Sequence, residues 1–102
     1  MYKDYIDFHY KNEFGVKTMK LSIMGAGSTV FAKNLIGDVL STEALHDCEI
    51  ALYDIDPKRL DESYTMATAI NRNLNNDLAR IEKYLGVENR KTALKGADYV
   101  VN

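Results

Sequence analysis

The segment 21–30, L-S-I-M-G-A-G-S-T-V, constrains the fold of this chain more than any other. A short apolar run ends at Met24, and Gly25 and Gly27 follow before a helical pattern begins. The run 19–24 suits a buried strand, and closely spaced glycines let the backbone turn tightly between a strand and a helix. The junction therefore predicts one strand-turn-helix unit whose turn lies at the two glycines.

The residues after this junction repeat the alternation of helical and extended patterns. Residues 28–40 are predicted to form a helix. Its apolar face is expected to contain Phe31, Leu35, Ile36, Val39 and Leu40. The run 49–53, E-I-A-L-Y, is predicted to form a second strand that Asp54 closes. Asp56 then suits the N-cap of a second helix and Pro57 its first position, where a missing N–H costs nothing. The apolar stripe of that helix is expected to contain Leu60, Tyr64, Ala67, Ile70 and Leu74.

The end of the second helix is less regular than its start. Leu78, Ile81 and Leu85 would continue the apolar stripe, but a cluster of side chains that favour turns intervenes. Its members are Asn71, Asn73, Asn75, Asn76 and Asp77. We therefore predict a break in the helix there, followed by three further elements. These are a strand over 79–84, a short helix over 89–95 that Gly96 ends, and a fourth strand over 99–101.

The resulting order, βαβαβαβ, predicts an α/β fold with a doubly wound parallel sheet and right-handed crossovers. In such a sheet the strand order is 3-2-1-4, and further strands normally follow beside the fourth. The domain is therefore expected to be incomplete after the start of its fourth strand, which would form an open edge.

A strand-turn-helix unit of this kind suits the binding of a dinucleotide. The glycines let the backbone approach a pyrophosphate, the helix N-terminus presents N–H groups to it, and Ser28 and Thr29 add hydroxyl donors. Asp54, at the end of the second strand, is the predicted acceptor for the ribose hydroxyls, and its charge favours NAD over NADP. Val30 replaces the third glycine of the full fingerprint, so a plain turn remains an alternative. Asp56 is a second candidate for the ribose, but Pro57 assigns it to capping.

Composition limits the remaining possibilities. A chain of 102 residues makes one small domain, and a net charge of -2 provides no field for nucleic acid or an anionic membrane. The single cysteine, Cys48, favours a reducing compartment, and no apolar run approaches the roughly 18 residues of a membrane span. We therefore expect a cytoplasmic protein. Cys48 is expected to lie in the core, and His9 and His46 to be solvated, so none of them indicates a catalytic centre.

Residues 1–18 precede the first predicted strand and are rich in tyrosine and charge. They are either a packed extension or an upstream in-frame addition that the fold does not need. We favour the addition, so the predicted domain division is a leader at 1–18 and the first part of a dinucleotide-binding domain at 19–102.

Three blocks of the sequence carry a resemblance to a known family. They are G-A-G-S-T-V-F-A-K-N-L-I-G-D-V-L, I-A-L-Y-D-I-D-P-K-R-L-D-E-S and A-L-K-G-A-D-Y-V-V-N. From about Lys20 to Asn102 the chain resembles the N-terminal domain of glycoside hydrolase family 4, and within it the α-galactosidase (melibiase) branch. Phospho-glycosidase branches instead tend to carry a G-G-S-T-F-T-P-like loop at the first block.

The resemblance implies a Rossmann-type domain that binds NAD, in a homo-oligomeric enzyme that also requires Mn²⁺ and acts on a small sugar substrate, an α-galactoside. It implies hydrolysis by oxidation at C3 of the sugar followed by elimination, unlike glycosidases that use two carboxylates. The residues that match the family's cofactor site are Gly25, Ala26, Gly27, Ser28, Thr29, Val30, Asp54 and Asn102.

The family's metal-binding cysteine and histidine and its catalytic tyrosine come after the segment that ends at Asn102. No catalytic residue or metal ligand is therefore assigned within these 102 residues, and this piece is expected to supply dinucleotide binding only. Two other functions stay open: a non-catalytic NAD-binding module, and a fragment of a dehydrogenase of the lactate or malate type.

Overall fold

A computed structural model describes residues 18–25 and 29–102 of the chain. Strands and helices alternate in the order that the sequence predicts. The elements are β1 (Lys20–Met24), α1 (Thr29–Leu40), β2 (Glu49–Asp54), α2 (Pro57–Asn75), β3 (Arg80–Leu85), α3 (Arg90–Leu94) and β4 (Tyr99–Val101). Single turns of 3-10 helix precede β2 and α3, at Glu43–Leu45 and Val87–Asn89. The predicted alternation is confirmed, and the element boundaries differ from prediction by a residue or so.

The four strands form one parallel sheet in the order β3-β2-β1-β4. Leu21 of β1 pairs with Ile50 of β2 on one side and with Tyr99 of β4 on the other, and Ile50 pairs in turn with Ile81 of β3. The predicted α/β class and strand order are therefore confirmed. Because β1 lies between β2 and β4, the direction in which strands are added reverses beside it, which is the switch point of such a sheet.

Helices α1 and α2 cover one face of the sheet and enclose the main core. Leu21, Ile23, Ile50 and Leu52 project from the strands towards Ile36 and Leu40 of α1, and Leu60 and Ala67 of α2 complete the cluster. The predicted burial was wrong for two residues, since Phe31 is 55% exposed and Leu74 is 59% exposed. Ala32 of α1 is buried instead, because that side of the first turn lies against the sheet.

Two amides take the core positions that the apolar stripe assigned to Leu74. Asn71 and Asn75 are buried near the end of α2. The Asn71 side chain donates to the carbonyl of Ala79 (2.9 Å) and accepts from the Ala79 N–H (3.2 Å), and Asn75 donates to the carbonyl of His46 (2.8 Å). The predicted break in the helix is confirmed: α2 ends at Asn75, and the next residue, Asn76, adopts a left-handed conformation (φ 53°). These asparagines hold the chain where it turns back into β3.

The opposite face of the sheet is covered by the short helix α3. The hydroxyl of Ser22 donates to the carbonyl of Ala93 (2.6 Å), and the ammonium of Lys20 donates to the carbonyl of Lys95 (2.7 Å). Helices therefore lie on both faces of the sheet, which is a Rossmann-type arrangement.

Candidate functional site

The candidate site lies where the strands β1, β2 and β4 end. The carboxyl ends of parallel strands meet at one edge of a sheet, and ligands of open α/β sheets bind there, beside the switch point. Gly25 follows β1, Asp54 ends β2 and Asn102 follows β4. The topology thus brings these three predicted residues to the same edge, with Gly25 between the other two.

The turn after β1 begins at a glycine that the backbone requires. Gly25 has φ +73°, a conformation that other residues rarely adopt, and its N–H donates to the carbonyl of Tyr53 on β2 (2.9 Å). The predicted residues Ala26, Gly27 and Ser28 lie outside the described residues. Thr29 is the first residue of α1, and the side chain of Val30 is 73% exposed. The first turn of α1 contains no acidic side chain, so its N–H groups and partial positive charge keep their attraction for an anion.

Asp54 places a carboxylate at the end of β2. The residue is 7% exposed, and its Oδ1 accepts a hydrogen bond from the backbone N–H of Asp56 (3.0 Å). A buried carboxylate is stable only when hydrogen bonds or charges compensate for the water it has lost. Its position agrees with the predicted role as acceptor for ribose hydroxyls, and that role stays a prediction.

Asp56 has the capping role that the sequence predicts. Its Oδ1 accepts from the N–H groups of Lys58 (2.9 Å) and Arg59 (3.3 Å), and Pro57 occupies the first turn of α2. The side chain of Asp56 is therefore committed to the helix, while its own N–H is committed to Asp54.

Gly86, which the sequence pattern did not indicate, joins the end of β3 to the candidate site through a backbone hydrogen bond. Its N–H donates to the carbonyl of Asp54 (3.0 Å), and it has φ +86°. A Cβ at this position would lie 2.6 Å from Oε1 of Glu88. A glycine two residues after the predicted strand 79–84 was the signal that could have identified it. Ile55, directly after Asp54, is 69% exposed, and an isolated apolar residue in a turn carries no sequence pattern.

Asn102 directly follows Val101, which pairs with Ile23 of β1. The side chain of Asn102 is exposed at the end of β4. Asn102 therefore lies on the other side of Gly25 from Asp54, and its proximity to a cofactor stays a prediction.

Among the described residues, the remaining candidates do not form a reactive centre, and His9 lies outside those residues. Cys48 is fully buried, as predicted, and burial together with the negative charge of Asp47 raises the pKa of its thiol from 9.0 to about 12. His46 lies before β2, where its carbonyl accepts from Asn75. Within residues 18–25 and 29–102, no group of three or more His, Cys, Asp or Glu side chains could hold a metal ion.

No helix in the described ranges is both long enough and apolar enough to cross a membrane.

Comparison with known proteins identifies the family. The chain is 52% identical over 83 residues to an α-galactosidase of Bacillus subtilis (strain 168), 37% identical over 82 residues to an α-glucosidase of Erwinia rhapontici, and 33% identical over 85 residues to an α-galactosidase of Rhizobium meliloti (strain 1021). These alignments cover 81%, 80% and 83% of this chain but only 18%, 17% and 16% of the relatives, so the chain spans less than a fifth of their length. The model of family 4 glycosyl hydrolases matches residues 20–102, and the chain belongs to that family.

Proposed function

We propose that this chain supplies the dinucleotide-binding part of an NAD-dependent α-galactosidase. One observation carries the proposal: a glycine turn with positive φ and a buried carboxylate flank the switch point of a parallel sheet, in a chain of family 4. The name of the Bacillus subtilis relative supports the galactoside. Its identity of 52% exceeds the 37% of the α-glucosidase, and therefore favours galactose over glucose.

The residues at the candidate site fit the adenosine and pyrophosphate parts of NAD. The N-terminus of α1, at Thr29 and Val30, would hold the pyrophosphate together with the turn that begins at Gly25. Asp54 would accept the ribose hydroxyls, and Asn102 would lie beside the cofactor at the end of β4. A carboxylate at Asp54 would repel a 2′-phosphate, which is the physical reason to propose NAD rather than NADP.

Bound NAD would supply reversible hydride transfer to and from the sugar. The residues of this chain would contribute binding and orientation to that chemistry. The backbone N–H groups at the start of α1 would neutralise phosphate charge, and Asp54 would fix the adenosine end, so that the other end of the dinucleotide would be held in one place.

Manganese is part of the proposal only for the intact enzyme. The described residues contain no ligand set for a metal ion, so we assign no Mn²⁺ contact to any of them. The C3-oxidation and elimination route likewise belongs to the intact enzyme.

The experiment measures hydrolysis of p-nitrophenyl α-galactoside by the intact protein after bound nucleotide has been stripped with charcoal. We expect activity to return with NAD and Mn²⁺, and to return less with NADP. The α-glucoside is the matched control substrate, and the 102-residue chain assayed alone is expected to give no turnover. Full activity of the stripped protein without added nucleotide would contradict the proposed cofactor.

A non-catalytic NAD-binding module is the second candidate function. The described residues contain no group that could hold a metal ion, and this candidate needs none. An intact protein that binds NAD but hydrolyses neither glycoside would support this candidate over the first.

A further inference from the structure

The start of helix α2 and the carboxylate at the end of β2 are joined by one residue. Asp56 donates its backbone N–H to Oδ1 of Asp54 and uses its own carboxylate to cap α2. We propose that Asp56 is a positioning residue for the dinucleotide, because it holds the Asp54 carboxylate in the orientation that receives the ribose. This inference rests on the proposed function.

Three contacts fix the direction of the Asp56 N–H. Its side chain accepts from Lys58 N (2.9 Å) and Arg59 N (3.3 Å), and its carbonyl accepts from Leu60 N (3.0 Å). Its backbone is extended, with φ -99° and ψ 114°, the region that a following proline imposes. The Asp56 peptide is therefore anchored to the rigid first turn of a 19-residue helix.

The orientation of the Asp54 carboxylate matters because hydrogen bonds weaken steeply when donor and acceptor are misaligned. A carboxylate rotated away from the ribose would lose part of its hydrogen bonding to NAD. The rotated carboxylate would also repel a 2′-phosphate less strongly, so the preference for NAD over NADP would fall. A purely structural role in capping α2 would change stability without changing this preference.

Substitutions at Asp56 can separate capping from positioning. Glycine caps a helix almost as well as aspartate, but Asp56→Gly frees the backbone of this residue and removes the side-chain anchor. Asp56→Asn would keep both functions, since asparagine is also a good N-cap. Asn76→Ala is the matched control, because Asn76 caps the other end of the same helix (φ 53°) and lies away from Asp54.

The test titrates NAD and NADP against the intact protein and its variants, well below their unfolding temperatures. Asp56→Ala removes the cap as well as the side-chain anchor. For both Asp56→Ala and Asp56→Gly we expect NAD affinity to be about 3- to 10-fold lower, the equivalent of one ordinary hydrogen bond, and the ratio of NAD to NADP affinity to be smaller. Asp56→Asn should have the NAD affinity and the NAD-to-NADP ratio of the unaltered protein. Asn76→Ala should lower the unfolding temperature and leave both values unchanged.

The outcomes separate this inference from the proposed function. If Asp56→Ala and Asp56→Gly bind both nucleotides as Asn76→Ala does, Asp56 only caps the helix and the inference is overturned. If the unaltered protein binds no NAD, or Asp54→Asn binds it as tightly as the unaltered protein, the proposed cofactor site itself is wrong.

Discussion

The two ends of the sheet use polar groups in different ways. At the amino ends, Lys20, Glu49 and Arg80 stand in register on three neighbouring strands, and Glu49 lies 3.9 Å from the Lys20 ammonium and 3.0 Å from the Arg80 guanidinium. At the carboxyl ends, Gly25 and Gly86 adopt positive φ, and Asp54 is the buried carboxylate.

The difference predicts that the amino ends serve stability and that the carboxyl ends suit a ligand. The charges at the amino ends compensate one another, and Lys20 also caps the carbonyls at the end of α3. At the carboxyl ends, backbone N–H groups and one carboxylate gather beside the switch point, and these are groups that bind phosphate and ribose. Substitutions at the amino ends should therefore change stability, and substitutions at the carboxyl ends should change nucleotide binding.

The largest effect is expected for Asn71→Leu, near the amino end of β3. Both the N–H and the carbonyl of the buried Ala79 lose the Asn71 amide, and each unpaired buried group costs about 1–3 kcal/mol. We expect the free energy of unfolding to fall by about 3 kcal/mol, measured by urea denaturation. Asn73→Leu, at an exposed position of the same helix, is the control. Equal losses from the two substitutions would show that the amide does not hold the turn.

The second prediction concerns Asp54→Asn at the carboxyl ends. The substitution preserves size but removes the charge that strengthens hydrogen bonds to the ribose hydroxyls, which are worth about 1.5–3 kcal/mol. We expect NAD affinity to fall by about 10- to 100-fold, and NADP affinity to fall much less or to rise. Titration of both nucleotides against the intact protein measures this. If Asp56→Asn weakened NAD while Asp54→Asn did not, the ribose would belong to Asp56.

The third prediction compares one substitution at a buried and an exposed lysine. Lys20→Met removes a charged donor from the carbonyls of Thr92 and Lys95, and should lower the free energy of unfolding by about 1.5 kcal/mol without changing nucleotide affinity. Lys83→Met breaks an exposed pair with Asp61 (2.8 Å) and should change stability little. Thermal unfolding of both variants checks the difference. A larger loss of stability for Lys83→Met than for Lys20→Met would show that the exposed lysine, and not the buried one, stabilises the fold.

The smallest effect is expected at Cys48, next to the amino end of β2. Burial raises the pKa of its thiol from 9.0 to about 12. The buried neutral thiol therefore contributes fully to the free energy of unfolding below pH 9, and this contribution is lost as the pH rises from 9.0 towards 12. At about pH 8 we expect iodoacetamide to label Cys48 only as the protein unfolds. Mass spectrometry across a urea gradient measures the labelling. Rapid labelling of the folded protein would mean that the amino end opens locally.

Signals between near neighbours in the chain were enough for much of the fold. The capping by Asp56 with Pro57, a helix break within the cluster from Asn71 to Asp77, and the alternation of strands and helices were predicted, because each depends on a few successive residues. The same signals placed Gly25 and Asp54 at the ends of β1 and β2. The order 3-2-1-4 followed from them through the general topology of alternating α/β chains.

Only the tertiary structure decided which side of each helix is buried and which loops meet. Helical periodicity gave Phe31 and Leu74 the same weight as Ile36 and Leu60, since spacing alone does not show where the sheet ends beneath a helix. The burial of Asn71 depends on an Ala79 backbone that is presented only after the chain has turned back. Gly86 meets Asp54 for a similar reason: parallel pairing of β2 with β3 brings together residues that are 32 positions apart. The sequence by itself thus determined the elements and their local caps, whereas the contacts between distant segments required the assembled sheet.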